Sequence, residues 1–239
     1  MTDAVPAVVR ISWSRAWRII RAVFPPIALF EDIADPADWE AIASAEAKTN
    51  PRVAETVGML DLVPPARRIA GPGASWVMAP FVHASPDRPS RFSDGRSGVY
   101  YAGSHPEVAI FETIHHHSRF MAATRQDAGW TSEFRELVGP VDAELHDLRD
   151  DPVFAVCLDP NDYAPAQALG ARLRDEGADG VVYPSVRWPA GSCVAAFWPD
   201  VVGIPRPARH FAYHWDGQSV DLVRELPDGP TFRIEGGPD

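Results

Sequence analysis

Apolar and polar residues follow one another in short segments, each long enough for one helix or strand. Residues 16–30 are mostly apolar and aromatic, which predicts a strand followed by a loop. A helix is expected over 36–48, because Asp35 suits the N-cap position and a proline follows it. Residues 62–90 are rich in Pro, Gly and Ser and predict loops, with one strand at Ser75–Val82.

The most informative segment is 91–118, RFSDGRSGVYYAGSHPEVAIFETIHHHS. Residues 98–102 predict a short strand that carries two tyrosines. Ser104 and Glu107 have the spacing of a capping box, so we expect a helix that begins at Ser104 and ends near His117. The segment thus predicts an arginine on a loop, a tyrosine on a strand and a glutamate on a helix, in that order.

The rest of the chain alternates between strand and helix patterns. A helix is predicted over 165–176, ended by Gly177. Asp216 and Gly217 form a strong turn signal and predict a hairpin. Strands are predicted over 134–145, 153–158, 180–183, 193–198, 210–215 and 219–224. These elements predict one α+β domain over 1–239 with antiparallel strands, in which 1–85 contain a helical N-terminal elaboration.

Composition and charge narrow the classes of function. The chain has 22 Lys and Arg against 33 Asp and Glu, a formal net charge of −11. This charge disfavours nucleic acids and anionic membranes as partners. The two cysteines, Cys157 and Cys193, are too few to staple a fold of this size. With no apolar run of signal-peptide or membrane-spanning length, we expect a cytoplasmic protein.

Several common motifs are missing from the sequence. GPGASW at 71–76 lacks the third glycine of a dinucleotide-binding fingerprint, and there is no phosphate-binding Walker loop or nucleophile elbow. His115, His116 and His117 are adjacent, and adjacent side chains on a helix do not converge on one ion. We therefore interpret the three histidines as a polar helix end and expect no metal.

An ordered set of residues resembles the RES-domain family, the toxin half of Xre–RES toxin–antitoxin pairs. That family is named for an Arg, a Glu and a Ser. Its central pattern has an Arg before an aromatic residue, a Tyr about ten residues later, then a Pro, and a Glu eleven residues after the Tyr. An aromatic–Arg pair occurs near the N-terminus, and a Pro-Ser step precedes a late strand. The matching residues are Arg91-Phe92, Tyr101, Pro106, Glu112, Pro184-Ser185 and Trp17-Arg18.

The resemblance implies an ADP-ribosyltransferase-like core of two small, largely antiparallel sheets around an NAD cleft, with flanking helices. It implies that NAD is consumed as a substrate. Members of the family either destroy NAD or transfer ADP-ribose to a protein, and ParT-like members modify phosphoribosyl pyrophosphate synthetase. The resemblance also implies an Xre-type antitoxin that binds the toxin and blocks its cleft.

The chemistry of NAD cleavage assigns a role to each matched residue. Glu112 would stabilise the oxocarbenium-like cation and hold the ribose, as carboxylates do in glycoside hydrolysis. Arg91 and Arg18 are candidates for the pyrophosphate, because a guanidinium binds phosphate through two donors, and Arg91 is favoured because it opens a Gly-containing loop that can approach a ligand closely. Tyr101 would stack on the nicotinamide ring. Ser185 would hydrogen-bond the nicotinamide or ribose and position Glu112.

Other residues are weaker candidates. Asn50 and Arg52 are predicted to line the same cleft, and Arg96 is a nearby substitute for Arg91. Each candidate could instead be an ordinary surface or packing residue. Many arginine-modifying transferases carry a second glutamate two residues before the catalytic one; Ile110 occupies that position here, which argues against transfer to arginine.

Three functions remain open at the level of the sequence. The first is a toxin that transfers ADP-ribose from NAD to a protein. The second is a toxin that depletes NAD, as a glycohydrolase or phosphorylase, without a protein acceptor. The third is a non-catalytic interaction domain in which Arg91 and Glu112 form a structural ion pair. The long segment before Arg91 could recognise a protein target, so the sequence favours the first.

Overall fold

A computed structural model describes residues 4–31, 34–50, 52–227 and 231–233 of the chain. The helices are α1 (Ala28–Glu31), α2 (Trp39–Ala47), α3 (Val53–Val57), α4 (Ser75–Val82), α5 (Pro106–Ala122) and α6 (Ala164–Asp175). The strands are β1 (Val8–Arg21), β2 (Tyr100–Gly103), β3 (Thr131–Asp147), β4 (Gly180–Pro184), β5 (Ser192–Ala196), β6 (Arg206–Trp215), β7 (Val220–Leu226) and β8 (Thr231–Arg233). Within the described part, no helix is both long and apolar enough to cross a membrane.

The strands form one sheet in the order β1-β2-β5-β4-β3-β6-β7-β8, and β1 also pairs with β3. This extra pairing closes β1, β2, β5, β4 and β3 into a ring, from which β6, β7 and β8 continue. The paired strands are antiparallel except for β3 and β4, which are parallel. The α+β class with mainly antiparallel strands is confirmed.

The two small sheets of the prediction are joined into one because β3 is long. Its 17 residues pair with β1 along nearly their whole length. On the other side, the first half of β3 pairs with β6, whereas His146 and Asp147 at its end pair with β4. One strand therefore belongs to both halves of the sheet.

Helices cover the sheet and form three apolar clusters. The helices before β2 pack with β1, β2 and β3 around fully buried Phe30, Trp39 and Phe81. Helix α6 packs against β4 and β5 through Leu169 and Leu173. A third cluster joins residues of α5, β3, β6 and β7. Helix α5, which carries Glu112, also packs against β1 and β2.

Three predicted elements are wrong, for local reasons. Ser75–Val82 is a helix, because the carboxylate of Glu31 accepts the N–H groups of Gly73 (2.6 Å) and Ser75 (3.0 Å) at its start. Pro152–Leu158 is a 3-10 helix rather than a strand. Short apolar runs such as these fit a buried helix as well as a strand. The helix predicted to end near His117 continues to Ala122.

The predicted capping box is also wrong. His105 is the N-cap of α5 and makes no side-chain cap. The hydroxyl of Ser104 instead accepts the backbone N–H of Ser192 at 2.9 Å, which ties the start of α5 to β5. Other local predictions are confirmed: Asp35 accepts the N–H of Ala37 at 2.9 Å at the N-cap of a 3-10 turn that leads into α2.

Candidate active site

A cleft of about 280 Å³ lies between α5, β1, β2 and the loop before β2. It is at the small end of the range for ligand pockets. It brings together four sequence-predicted residues from separate parts of the chain. These are Arg18, Arg91, Tyr101 and Glu112. The cleft is further lined by Trp17, Ile19, Pro89, Ser90, Ala102, Gly103, Val108, Ala109, Thr113, His116, Tyr183 and Cys193.

Glu112 is held by Ser185 from the loop between β4 and β5. The hydroxyl of Ser185 donates to Oε1 of Glu112 at 2.8 Å. The same hydroxyl oxygen accepts the backbone N–H groups of Arg187 (3.3 Å) and Trp188 (3.0 Å), so its proton is directed at the carboxylate. Ser185 is buried, and the ring of Trp188 stacks on Phe111 of α5 at 4.8 Å. The loop therefore fixes the orientation of the carboxylate.

The two tyrosines of β2 point to opposite faces, as strand alternation requires. Tyr100 is buried in the core. Tyr101 lines the cleft; its hydroxyl accepts the backbone N–H of Phe92 at 2.9 Å and shares a hydrogen bond with Ser90 at 2.8 Å. Burial raises the pKa of Tyr101 to about 12. The phenol thus stays protonated at neutral pH.

Arg18 enters the cleft from β1. One guanidinium nitrogen donates to the carbonyl of Tyr101 at 3.0 Å, and the group lies 4.6 Å from the ring centre of Tyr100. Its Nε is buried without a hydrogen-bond partner, and no carboxylate among the described residues pairs with it. Removal from water lowers the pKa of Arg18. A cation in this setting favours an anionic ligand, because a buried charge needs a partner.

Arg91 serves the fold as well as the cleft. Its Nη1 donates to the carbonyls of Cys157 (3.0 Å) and Asp159 (2.8 Å), and its guanidinium lies 4.5 Å from the ring centre of Tyr163. These contacts anchor the 3-10 helix Pro152–Leu158 beside the cleft. Part of the guanidinium of Arg91 is thereby committed to carbonyls, which leaves Arg18 as the less occupied cation.

Three weaker candidates are not brought to the cleft. Asn50 and Arg52 are exposed, and the side chain of Asn50 accepts the backbone N–H of Arg52 at 3.2 Å in a local turn. Arg96 is exposed and lies 3.4 Å from Asp94. None of these three residues lines the cleft. Asn50 and Arg52 were predicted from their place at the end of a helix and Arg96 from its proximity to Arg91 along the chain, and neither signal fixes distance across a fold.

The cleft also contains residues that the sequence did not single out as site residues. Tyr183 and Cys193 are paired across β4 and β5, and the thiol of Cys193 lies 3.9 Å from Oε1 of Glu112. Burial raises the pKa of this thiol, so it stays protonated. His116 follows Glu112 by four residues on the same helix face, a spacing that could have identified it.

The cleft offers one carboxylate fixed by a hydroxyl, a guanidinium that pairs with no carboxylate of the described chain, and an aromatic face. Among the residues that the structure describes, no group of three or more His, Cys, Asp or Glu could hold a metal ion. A cleft with a carboxylate and a separate cation can bind a ligand that is positive at one end and phosphorylated at the other.

The family model described as RES domain matches residues 65–216. The chain belongs to the RES-domain family. The matched region of this RES-domain protein includes Arg91, Tyr101, Glu112 and Ser185, whereas Arg18 precedes it.

Two similar proteins were also found. Uncharacterized protein y4oC of Sinorhizobium fredii (strain NBRC 101917 / NGR234) is 29% identical over 228 residues, which cover 93% of this chain and 94% of the relative. The crystal structure of the M. tuberculosis MbcT–MbcA toxin–antitoxin complex matches with 12% identity and a TM-score of 0.43, covering 84% of this chain and 85% of the solved one.

Proposed function

We propose that this RES-domain protein cleaves the nicotinamide–ribose bond of NAD and transfers ADP-ribose to a protein, as the toxin of a type II toxin–antitoxin system. The observation that carries the proposal is the hydrogen bond of 2.8 Å from Ser185 to Glu112 in a cleft that also presents Arg18 and Tyr101. Family membership and the motif resemblance support the reaction class.

Glu112 supplies the negative charge for the reaction. When the bond between C1′ of the ribose and nicotinamide breaks, the electron pair leaves with the ring nitrogen and the ribose becomes an oxocarbenium ion. Within the described residues, Ser185 and Cys193 both donate to Oε1 of the Glu112 side chain. We expect Oε2 to bind a ribose hydroxyl and the carboxylate to stabilise the cation.

The remaining residues orient the dinucleotide. Arg18 binds the pyrophosphate, because its guanidinium is otherwise a partly buried cation that no carboxylate of the described ranges pairs with. The face of Tyr101 packs on the cationic nicotinamide ring, a contact that contributes roughly 1–2 kcal/mol. At about 280 Å³ the cleft suits the nicotinamide–ribose end, with the rest of the ligand over its open side.

The reaction is tested by a matched pair of variants. Glu112→Gln keeps the shape of the side chain and removes its charge, so NAD consumption is expected to fall by about 10²-fold or more. Glu107→Gln, on the same helix but outside the cleft, is the control. Equal activity in the two variants, with unchanged folding by circular dichroism, would remove Glu112 from catalysis.

The acceptor is tested separately. With NAD labelled in its adenosine half and added to cell lysate, we expect one discrete labelled protein, for which phosphoribosyl pyrophosphate synthetase is the candidate. Free ADP-ribose or its phosphate without a labelled protein would instead support the NAD-depleting toxin.

The role as a toxin has its own test. Induced expression in a bacterial host is expected to arrest growth, and expression of Glu112→Gln is not. Co-expression of an Xre-type antitoxin, encoded beside the toxin, is expected to restore growth. Growth that continues at full rate with the active enzyme present would refute the role as a toxin without refuting the chemistry.

A further inference from the structure

The three consecutive histidines of α5 lie in three different environments. His115 accepts a hydrogen bond of 2.8 Å from the guanidinium of Arg187. His117 is buried on the opposite side of the helix, with its ring centre 4.9 Å from that of Phe134. His116 lines the cleft. Only His116 is therefore placed to meet a ligand.

His116 has a free imidazole next to Glu112. The two residues are four apart on one helix, so their side chains share a face. No ring nitrogen of His116 has a hydrogen-bond partner within the described residues, and the side chain is accessible to solvent. An acceptor molecule that enters the cleft can reach it.

The other proton-bearing groups near Glu112 are already committed. Ser185 donates to the carboxylate, and Thr113 donates to the carbonyl of Ala109 at 2.7 Å. Burial raises the pKa values of Cys193 and Tyr101, which keeps both protonated at neutral pH. Glu112 is needed as the anion that stabilises the oxocarbenium ion, so His116 is the remaining lining group in the described cleft that can accept a proton near neutral pH.

The surroundings keep this imidazole neutral. The protein packed around the ring reduces its hydration and lowers its pKa, an effect that outweighs the opposing charge of Glu112. Nearby positive charges lower the pKa further, and they lie on α5, on the loop between β4 and β5 and on the loop before β2. These charged groups are Arg119, Arg187 and Arg91. A neutral imidazole can act as a base.

We propose that His116 is the general base that activates the acceptor, which is a hydroxyl group of water or of a protein side chain. The bond between C1′ and nicotinamide breaks first and reversibly, and the electron pair leaves with nicotinamide, so capture of the cation by the acceptor sets the rate of NAD consumption. The acceptor oxygen then bonds to C1′, and its proton passes to the free ring nitrogen of His116. The imidazolium afterwards loses this proton to solvent. This inference rests on the proposed cleavage of NAD.

The role makes a chemical distinction between acceptors. A hydroxyl loses a proton as it attacks, so it needs a base, and a general base typically contributes about 10²–10⁴-fold. An anionic nucleophile such as azide attacks without a proton to lose. Loss of the base should therefore slow hydroxyl acceptors and spare azide.

The test compares His116→Gln with His115→Gln in the full chain at pH 7. NAD consumption is measured in buffer, where water is the acceptor, and labelling of protein is measured in lysate. We expect His116→Gln to lower whichever reaction the wild type performs by about 10²-fold. Affinity for NAD is expected to stay within about twofold of the wild type, and sodium azide should restore consumption. His115→Gln should retain wild-type rates, since a glutamine can still accept from Arg187.

Each outcome is decisive. A His116→Gln protein as active as the wild type would overturn the assignment. Lost activity that azide does not restore would also overturn it, because the defect would then lie in the fold or in NAD binding. A wild-type protein that does not consume NAD would refute the proposed function itself.

Discussion

At the residue scale, the geometry of the cleft depends on a few side chains that hydrogen bonds hold in place. Ser185 is buried and does not line the cleft, but its hydroxyl oxygen accepts two backbone N–H groups while its proton points at Glu112. A hydroxyl in this position acts on the reaction through the carboxylate. Its contribution is therefore one of orientation.

Replacing Ser185 by alanine should misplace Glu112. A small displacement of a reacting group lowers rates by about 10²-fold, so we expect kcat to fall by that order while KM for NAD changes little. Steady-state NAD consumption measures both constants. Ser44→Ala, at an exposed position on α2, is the control. A raised KM with unchanged kcat would show that Ser185 binds substrate and does not position Glu112.

The substitution Arg91→Lys tests whether Arg91 stabilises the fold as well as the cleft. An ammonium cannot reproduce the contacts of Arg91 with two backbone carbonyls and a ring face, so one carbonyl should lose its partner. The free energy of unfolding should fall by about 1–3 kcal/mol. Affinity for NAD should weaken too. Urea unfolding measures the first effect, and exposed Arg96→Lys is the control. Equal stability of the two variants would contradict this role.

At the element scale, some kinds of sequence signal predicted the helices and strands correctly and others did not. The turn signal was reliable, although the local capping box was not: the carboxylate of Asp216 accepts the N–H groups of Gln218 and Ser219 at 2.7 Å each in the predicted hairpin. Apolar runs were not reliable. Ser75–Val82 needed the carboxylate of Glu31, 42 positions from Gly73, to begin as a helix. A contact of that range cannot be seen in a local pattern.

The helical region before β2 depends on Arg68. Its buried guanidinium donates to the carbonyls of Pro36, Leu60 and Val63 and pairs with Glu40. Arg68→Met leaves the carbonyls of Pro36 and Val63 without this donor, while that of Leu60 still accepts the N–H of Val63, and should lower the free energy of unfolding by about 2–4 kcal/mol. Glu40→Gln should have a much smaller effect, since Glu40 is about half exposed. Urea unfolding measures both, and a loss below about 1 kcal/mol for Arg68→Met would contradict the argument.

At the scale of the whole molecule, the sequence identified four residues that line the cleft but did not predict how the sheet closes. The spacing of Arg91, Tyr101 and Glu112 was enough to group three residues that are close along the chain. Arg18 and Tyr101 are 83 positions apart, and their contact exists because β1 pairs with both β2 and β3. Such long-range pairing leaves no local pattern, which is why the single closed sheet was not predicted.

Two histidines of α5 make the stability of the whole chain depend on pH. Burial lowers the pKa of His115 to about 3 and that of His117 to about 4, below the ordinary value of 6.5. The unfolded state therefore binds more protons below pH 6.5. Stability from these groups is fully present above that pH and is lost as pH falls towards the folded values. We expect the thermal midpoint to fall between pH 7.5 and pH 5, and His117→Phe to reduce that fall. A midpoint that is constant or rises on acidification would contradict the prediction.

The central claim is cleavage of the nicotinamide–ribose bond in this cleft, and release of nicotinamide from NAD tests it most directly. Purified protein is incubated with NAD, and free nicotinamide is measured by chromatography beside Glu112→Gln. We predict release by the wild type in equal amount to the ADP-ribose product formed, and release lowered by about 10²-fold or more in the variant. No release by the wild type, with or without lysate as a source of acceptors, or equal release by the two proteins, would contradict the account.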